Sequence, residues 1–106
     1  MRIRYSLNAS MDLAEIFAYI ASDNPKAASA VVGRVQEVVA RLALFPGSGH
    51  LSDVPGVRIA PLIRFPYSVY YAVEGDELLV LHIRHGARRT PAFHEQAQPF
   101  IPEIAQ

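Results

Sequence analysis

The sequence predicts an α+β fold: an N-terminal strand, an antiparallel helix hairpin, and a three-stranded antiparallel sheet packed on the helices. Three observations support this class. Two segments between residues 8 and 45 repeat apolar side chains at helical spacing. Three later runs, between residues 57 and 85, are rich in β-branched and aromatic residues and are separated by turn residues. A short segment that alternates polar and apolar residues precedes the helices.

The alternating segment, residues 2–7, places Ile3, Tyr5 and Leu7 on one side, which predicts a half-buried strand. The first helix follows, with Asn8 or Ser10 as its expected cap, because short polar side chains accept the free N–H groups of a first turn.

The first helix has one apolar stripe and one polar face. Asp12 is expected to face water. The stripe follows the spacing i, i+3, i+4, i+7 and comprises Leu13, Ile16, Phe17 and Ile20.

A second helix begins at Asn24-Pro25, with Asn as the cap and Pro at the first helical position. It is predicted to end near residue 45, before the turn residues of segment 46–49. Its predicted core stripe comprises Val31, Val35, Val38, Leu42 and Phe45. Two such helices joined by a tight turn form an antiparallel hairpin.

The sheet is predicted from three strands: residues 57–63, 67–73 and 78–85. Residues 50–56 are expected to form a loop, and Pro61 indicates an edge or a bulge. In the last strand, one face is expected under the helices and the other open to a partner. The first face comprises Leu79, Leu81 and Ile83; the second comprises Leu78, Val80, His82 and Arg84.

The chain of 106 residues is long enough for one domain, predicted over residues 1–93, with an irregular tail over residues 94–106. It has no cysteine, no apolar run of the ~20 residues that a membrane span needs, and no signal-peptide core at its start. These features favour a cytoplasmic protein that does not contact membranes.

The charges are unevenly distributed, although the formal net charge is zero. Residues 54–73 contain two arginines and no acid; residues 78–94 contain three arginines, three histidines and no acid. This pattern predicts a surface that contacts an anionic group or partner. The alternative is a set of scattered arginines that keep an apolar sheet soluble. The candidates are Arg58, Arg64, Arg84, Arg88 and Arg89.

No phosphate-binding glycine loop, zinc-ligand spacing or nucleophile elbow is present, so no cofactor or metal is expected. His82 and His85 are three residues apart on a predicted strand, which places them on opposite faces and argues against a metal pair.

Two groups of residues together resemble a known family. One is Asp12-Leu13-Ala14-Glu15-Ile16-Phe17-Ala18-Tyr19-Ile20, followed by Asn24-Pro25-Lys26-Ala27-Ala28. The other combines Gly56-Val57-Arg58, Phe65-Pro66-Tyr67, Tyr70-Tyr71 and His85-Gly86-Ala87-Arg88-Arg89. In their order and spacing over residues 1–93, they resemble the RelE/ParE superfamily of type II toxin–antitoxin toxins, and more specifically its ParE-like branch.

The resemblance implies a small α+β toxin that a cognate antitoxin, usually encoded beside it, wraps and neutralises. The ParE-like branch implies inhibition of DNA gyrase by protein contact, without catalysis. We expect the antitoxin to contact the open face of the last strand, at Leu78, Val80, His82 and Arg84.

Two alternatives stay open: an inert member that only binds antitoxin, and a RelE-like ribonuclease that cuts mRNA on the ribosome. The ribonuclease members carry lysines on the second strand, where this chain has none, and an arginine after the tyrosine of the third, where this chain has Ser68. Arg88 does match their arginine after the glycine. If the chain were a ribonuclease, His85, Arg88 and His94 would be its candidate catalytic residues.

Overall fold

The computed structural model describes residues 1–86, which form two helices on one face of a five-stranded mixed sheet. Along the chain these are β1 (Arg2–Tyr5), α1 (Leu7–Ala21), α2 (Pro25–Leu44), β2 (His50–Leu51), β3 (Arg58–Pro61), β4 (Tyr67–Glu74) and β5 (Glu77–His85). The strand order is β1-β5-β4-β3-β2; β1 is parallel to β5 and the other pairs are antiparallel. The predicted α+β class is therefore confirmed.

The two helix starts illustrate one correct and one wrong prediction. Asn24 caps α2 as predicted, because its side chain accepts the N–H of Ala27 at 3.1 Å. The cap of α1 is Ser6, not Asn8 or Ser10. The Ser6 hydroxyl accepts the N–H of Ala9 at 3.0 Å and donates to the carbonyl of Leu81 at 2.9 Å. Such a cap contributes about 1 kcal/mol, and here it also ties the helix to β5.

The sheet has more strands than the sequence predicts. Residues 50 and 51, expected in a loop, form β2 and pair with β3. The prediction missed β2 because two residues carry no readable alternation. The short β2 begins at His50, opposite Ile59, so Pro61 extends beyond it at the edge of the sheet, as predicted.

The predicted faces of β5 are wrong at most positions. Leu78 and Val80 lie in the core cluster beneath the helices, while Leu79 and Leu81 lie on the opposite face. Strand β5 has a bulge after Val80: Tyr71 pairs with Val80 and Tyr70 pairs with His82, so Leu81 is one extra residue in β5. The extra residue reverses the alternation, so that Ile83 packs beneath the helices as predicted.

Both faces of the central sheet are buried, which is why the sequence could not separate them. The helix side packs on α2 through Val35, Val38, Val39 and Leu42. The other side packs with Val54 and Val57 from the segment between β2 and β3. A continuous apolar run such as Leu78–Leu81 is typical of a strand buried on both faces.

Two aromatic residues predicted in the helix stripes are exposed. Phe17 and Phe45 keep 41% and 63% of their surface accessible. Leu13 and Ile16 of the predicted stripe do pack against the core, partly buried, together with the fully buried Ala9. Neither α1 nor α2, the helices of the described region, is long and apolar enough to cross a membrane.

Candidate functional site

A groove of about 590 Å³ lies between α1 and the C-terminal end of β5, and we call it the α1 groove. Helix α1 provides four of its described lining residues, and the strands β4 and β5 provide the rest. The lining residues are Asp12, Glu15, Ile16, Tyr19, Tyr67, Ile83, Arg84 and His85.

The groove exists because β1 is shorter than β5. Strand β1 pairs with β5 only as far as Val80, which leaves the rest of that edge without a strand partner. Residues near the start of α1 form hydrogen bonds with the backbone groups of this edge instead. The Ser6 N–H donates to the carbonyl of Val80 at 2.9 Å, and Asp12 accepts the N–H of Ile83 at 3.0 Å. Helix α1 therefore lies along this edge, and Asp12 holds it there.

The same Asp12 oxygen, Oδ2, lies 2.8 Å from Nδ1 of His82. His82 keeps only 4% of its surface accessible. One carboxylate thus joins α1 to two consecutive residues of β5. Removing this carboxylate would leave buried polar atoms of β5 without a hydrogen-bond partner. This contact stabilises the floor of the groove.

Asp12 corrects a prediction, because the sequence suggested that it faces water. A signal for burial was present: Asp12 stands three residues after Ala9 and four before Ile16, on the buried stripe itself. A carboxylate on an apolar stripe indicates a buried polar contact.

Arg84 and His85 are the described basic residues of the predicted patch that line the α1 groove, and both are half-buried. Arg84 Nε is buried, and its N–H donates no hydrogen bond within residues 1–86. The His85 ring packs edge-on against Tyr67, with centroids 5.4 Å apart and an interplanar angle of 81°. This places a cation and two tyrosines, Tyr19 and Tyr67, in one concave surface.

The predicted patch is not free of acids once the chain is folded. Asp12 and Glu15 of α1 line the same groove as Arg84. The sequence could not show this, because about seventy residues separate them along the chain. The groove therefore suits a partner with both charged and aromatic contacts more than a simple anion.

Arg58 lies elsewhere and holds a turn. Its Nη1 donates to the carbonyl of Gly49 at 2.7 Å and that of Gly47 at 3.4 Å. The Tyr71 hydroxyl donates to the carbonyl of Pro46 at 2.8 Å and accepts the N–H of Gly49 at 2.9 Å. Burial raises the pKa of Tyr71, while the Gly49 hydrogen bond and the Arg58 charge partly oppose that rise. Arg58 thus acts on the end of α2, away from Arg84.

Arg64 is exposed between β3 and β4, with a backbone φ of 85°. This left-handed conformation is uncommon for a residue with a side chain. The segment is braced by hydrogen bonds from Leu62 N to Tyr67 O, at 2.8 Å, and from Gly86 N to Pro66 O, at 2.6 Å. Arg64 has no hydrogen-bond or ion-pair partner within residues 1–86, so its charge faces outward.

The four residues predicted to contact the antitoxin do not form an open face. Leu78 and Val80 are completely buried beneath the helices, and His82 is bound to Asp12. Arg84 alone reaches a groove. The premise of that prediction, an uncovered face of β5, is therefore wrong.

Several predicted residues cannot be placed. Arg88, Arg89 and His94 lie outside the described residues, as does the predicted domain boundary at residue 93. Ser68, which stands where the ribonuclease members have an arginine, is buried and pairs with Arg84 across the two strands.

Comparisons with known proteins agree with one another. The family model described as the ParE toxin of the type II toxin–antitoxin system parDE matches residues 3–90. A protein of Sinorhizobium fredii (strain NBRC 101917 / NGR234), named "Putative toxin Y4kP", is 37% identical over 90 residues, which cover 85% of this chain and 93% of that protein. A solved structure described as "Chromosomal ParDE TA system from P. aeruginosa" superposes with a TM-score of 0.72 at 32% identity. It covers 80% of this chain and 95% of the other.

Proposed function

This chain belongs to the ParE toxin family of type II toxin–antitoxin systems, and from that premise we propose that it arrests growth by binding DNA gyrase. It acts in the cytoplasm, without catalysis of its own, until its antitoxin neutralises it. Where a plasmid carries the pair, the same activity stabilises the plasmid.

One observation carries the choice of a binding mechanism: Ser68 is buried where the ribonuclease members have an arginine. Cleavage of RNA requires a proton acceptor, a proton donor and a cation at the phosphate. Strand β3 carries no lysine, and its Arg58 holds the carbonyl of Gly49. Among the described residues, His85 therefore has Arg84 beside it, but neither the lysines of the second strand nor the arginine at the position of Ser68 that the ribonuclease members carry.

The α1 groove is the proposed gyrase contact. Protein interfaces draw most of their binding energy from a few arginine, tyrosine and tryptophan side chains. Tyr19, 79% exposed, and Tyr67 line this groove with Arg84. Arg64 is the second proposed contact, because its charge is exposed on a braced and strained backbone.

The test is inhibition of DNA supercoiling by purified gyrase with the free, full-length toxin. We expect inhibition at micromolar toxin, and about a 10- to 100-fold loss of potency in Tyr19→Ala and Arg84→Glu. Lys26→Glu is the matched control, because Lys26 is exposed at the start of α2 and does not line the groove. Circular dichroism confirms that each variant is folded.

The same protein is then added to translating ribosomes, and the ends of the mRNA are mapped. Intact mRNA together with inhibited gyrase supports the proposal. Codon-phased cuts without any effect on gyrase would replace it with the ribonuclease alternative, and growth unaffected by expression of the toxin alone would indicate an inert member.

A further inference from the structure

The outward face of α1 is apolar, although it is open to solvent. Leu7 and Met11 keep 76% and 51% of their surface accessible, and Ala14 and Ala18 are exposed beside them. Single exposed apolar residues are ordinary, but an aligned group of them marks an interaction surface. We propose that this face joins two copies of the toxin, which pair through antiparallel α1 helices.

These four side chains lie in one row along the helix, and we call the row the α1 seam. At about 3.6 residues per turn they fall within about 60° of one another, on the side of α1 opposite the buried Ala9. The intervals between them are four, three and four residues. Paired helices contact each other at such intervals, so the seam has the pattern of a helix–helix contact.

The charged residues of α1 lie beside the seam and not in it. Asp12 and Glu15 are the only charged residues of this helix, and both line the α1 groove on its flank. A face without charges offers no complementary group to an acidic or basic partner, whereas a second copy of the same face leaves no charge buried without a partner. The formal net charge of zero also adds no long-range repulsion between two copies.

The order of side-chain sizes selects the antiparallel direction. The two large residues occupy the first half of the seam, and the two alanines occupy the second half. With a twofold axis at the middle of the seam, Leu7 faces the partner's Ala18, and Met11 faces the partner's Ala14. Each large side chain then packs over a small one, which closely packed helix pairs require. Parallel pairing would instead set Leu7 against its own copy and leave a gap between the alanines.

The contact is small, so the dimer is expected to be weak. The seam is about 17 Å long at about 1.5 Å per residue. One helix pair of that length buries less than the ~800 Å² per partner that is typical of stable complexes. We therefore expect association at micromolar concentrations of free toxin. Because the α1 groove lies on the flank of the helix, Tyr19 and Arg84 stay outside the contact.

The experiment is sedimentation equilibrium of the free, full-length toxin between about 1 and about 200 μM. The average mass should rise from the 11.7 kDa of the monomer towards twice that value. Ala14→Arg places a charge in the seam and should raise the dissociation constant at least about 10-fold. Ala30→Arg makes the same change at an exposed position of α2 and should leave the constant unchanged. Circular dichroism checks that each variant is folded.

An exchange of side-chain sizes tests the antiparallel arrangement. Met11→Ala removes a large residue, and Ala14→Met sets two methionines against each other. Each change alone should therefore weaken the dimer about 3- to 10-fold. The double variant again places a methionine against an alanine and should restore the wild-type constant. A face that associates only because it is apolar would instead make Ala14→Met the strongest dimer.

A mass of 11.7 kDa at every concentration would overturn the proposal, as would equal dissociation constants for Ala14→Arg and Ala30→Arg. A double variant weaker than both single variants would overturn the antiparallel pairing. A monomeric wild type whose affinity for the antitoxin falls in Ala14→Arg would assign this face to the antitoxin instead.

Discussion

The α1 groove and a second groove, of about 260 Å³ between the C-terminal half of α2 and the β3 edge, differ in their charge, although both are lined by arginines. We call the second one the α2 groove. The α1 groove places Arg84 close to Asp12 and Glu15, so cation and acids share one concave surface. The α2 groove holds Arg41 and His50 with no acid in its described lining. The first therefore suits a partner of mixed chemistry, and the second suits an acidic one.

The difference comes from the helices and not from the strands. Residues 78–94 contain three arginines and no acid, but α1 brings two carboxylates to the end of β5 from the other end of the chain. On α2, the one acid near the groove, Glu37, pairs with Arg34 beside it. The charge of the surface at a strand thus depends on the charged residues of the helix packed beside it, as well as on the strand's own sequence.

The largest expected effect is on the α1 groove, through Asp12→Ala. This change removes the acceptor of the Ile83 N–H and the partner of His82. Because buried polar atoms then lose their partners, we expect the free energy of unfolding to fall by about 3 kcal/mol. Urea denaturation measures it. Glu15 is an exposed acid of the same groove, and Glu15→Ala should change the free energy of unfolding by less than about 0.5 kcal/mol. Equal losses in the two variants would show that Asp12 does not stabilise the fold through these hydrogen bonds.

Gly49→Ala tests the turn that shapes the α2 groove. An added methyl group meets the Tyr71 hydroxyl and lies 3.0 Å from the carbonyl of Ile59. We expect a loss of about 2 kcal/mol in the free energy of unfolding, since overpacking forces buried neighbours to move. Gly47→Ala, in the same turn with nothing within 4 Å, is the control and should be nearly neutral. A neutral Gly49→Ala would show that the turn adapts freely.

The alkaline limit of stability also depends on this turn. Burial raises the pKa of Tyr71 above that in the unfolded chain, so the folded state disfavours the phenolate. The corresponding stability is present below about pH 10 and is lost as the pH rises through the folded pKa. Denaturation at about pH 8 and about pH 11 measures the loss. Tyr71→Phe should lower stability by about 1 kcal/mol at the lower pH and reduce the alkaline loss.

Tyr5, whose pKa burial also raises, stays in that variant and sets the remaining alkaline loss. An alkaline loss as large in Tyr71→Phe as in the wild type would assign the whole effect to other groups.

The smallest expected effect concerns Arg64, the proposed gyrase contact outside both grooves. A left-handed backbone costs a side-chain-bearing residue about 1–2 kcal/mol, and glycine recovers this while losing about 0.5–1 kcal/mol of chain entropy. Arg64→Gly should therefore raise the free energy of unfolding by up to about 1 kcal/mol and weaken gyrase inhibition. Arg64→Val should lower both the free energy of unfolding and the inhibition of gyrase. A clearly destabilising Arg64→Gly would contradict the assigned strain.

The sequence predicts the helices well because their signals are local. Asn24-Pro25 marks the start of α2, and the stripe of valines sets its buried face. It does not predict which face of β5 lies under the helices, because Leu78 to Leu81 are apolar on both sides. The bulge after Val80 and the two-residue β2 depend on pairing across the sheet, which no local pattern records.

For the candidate sites, the sequence finds Arg84 and His85 but misses what surrounds them. Asp12 and Glu15 approach through the packing of α1. Arg41 and His50 were not singled out, because each stands alone in its segment and only the fold brings them together.

The central claim is that the α1 groove, and not the α2 groove, contacts gyrase, and one measurement tests it most directly. Gyrase supercoiling reactions are titrated with wild-type toxin, Tyr19→Ala, Arg41→Glu or Lys26→Glu. The account predicts that Arg41→Glu and Lys26→Glu inhibit gyrase as the wild type does, and that Tyr19→Ala requires about 10- to 100-fold more toxin for the same inhibition. Equal potency of Tyr19→Ala and the wild type, or loss of gyrase inhibition in Arg41→Glu alone, would contradict it.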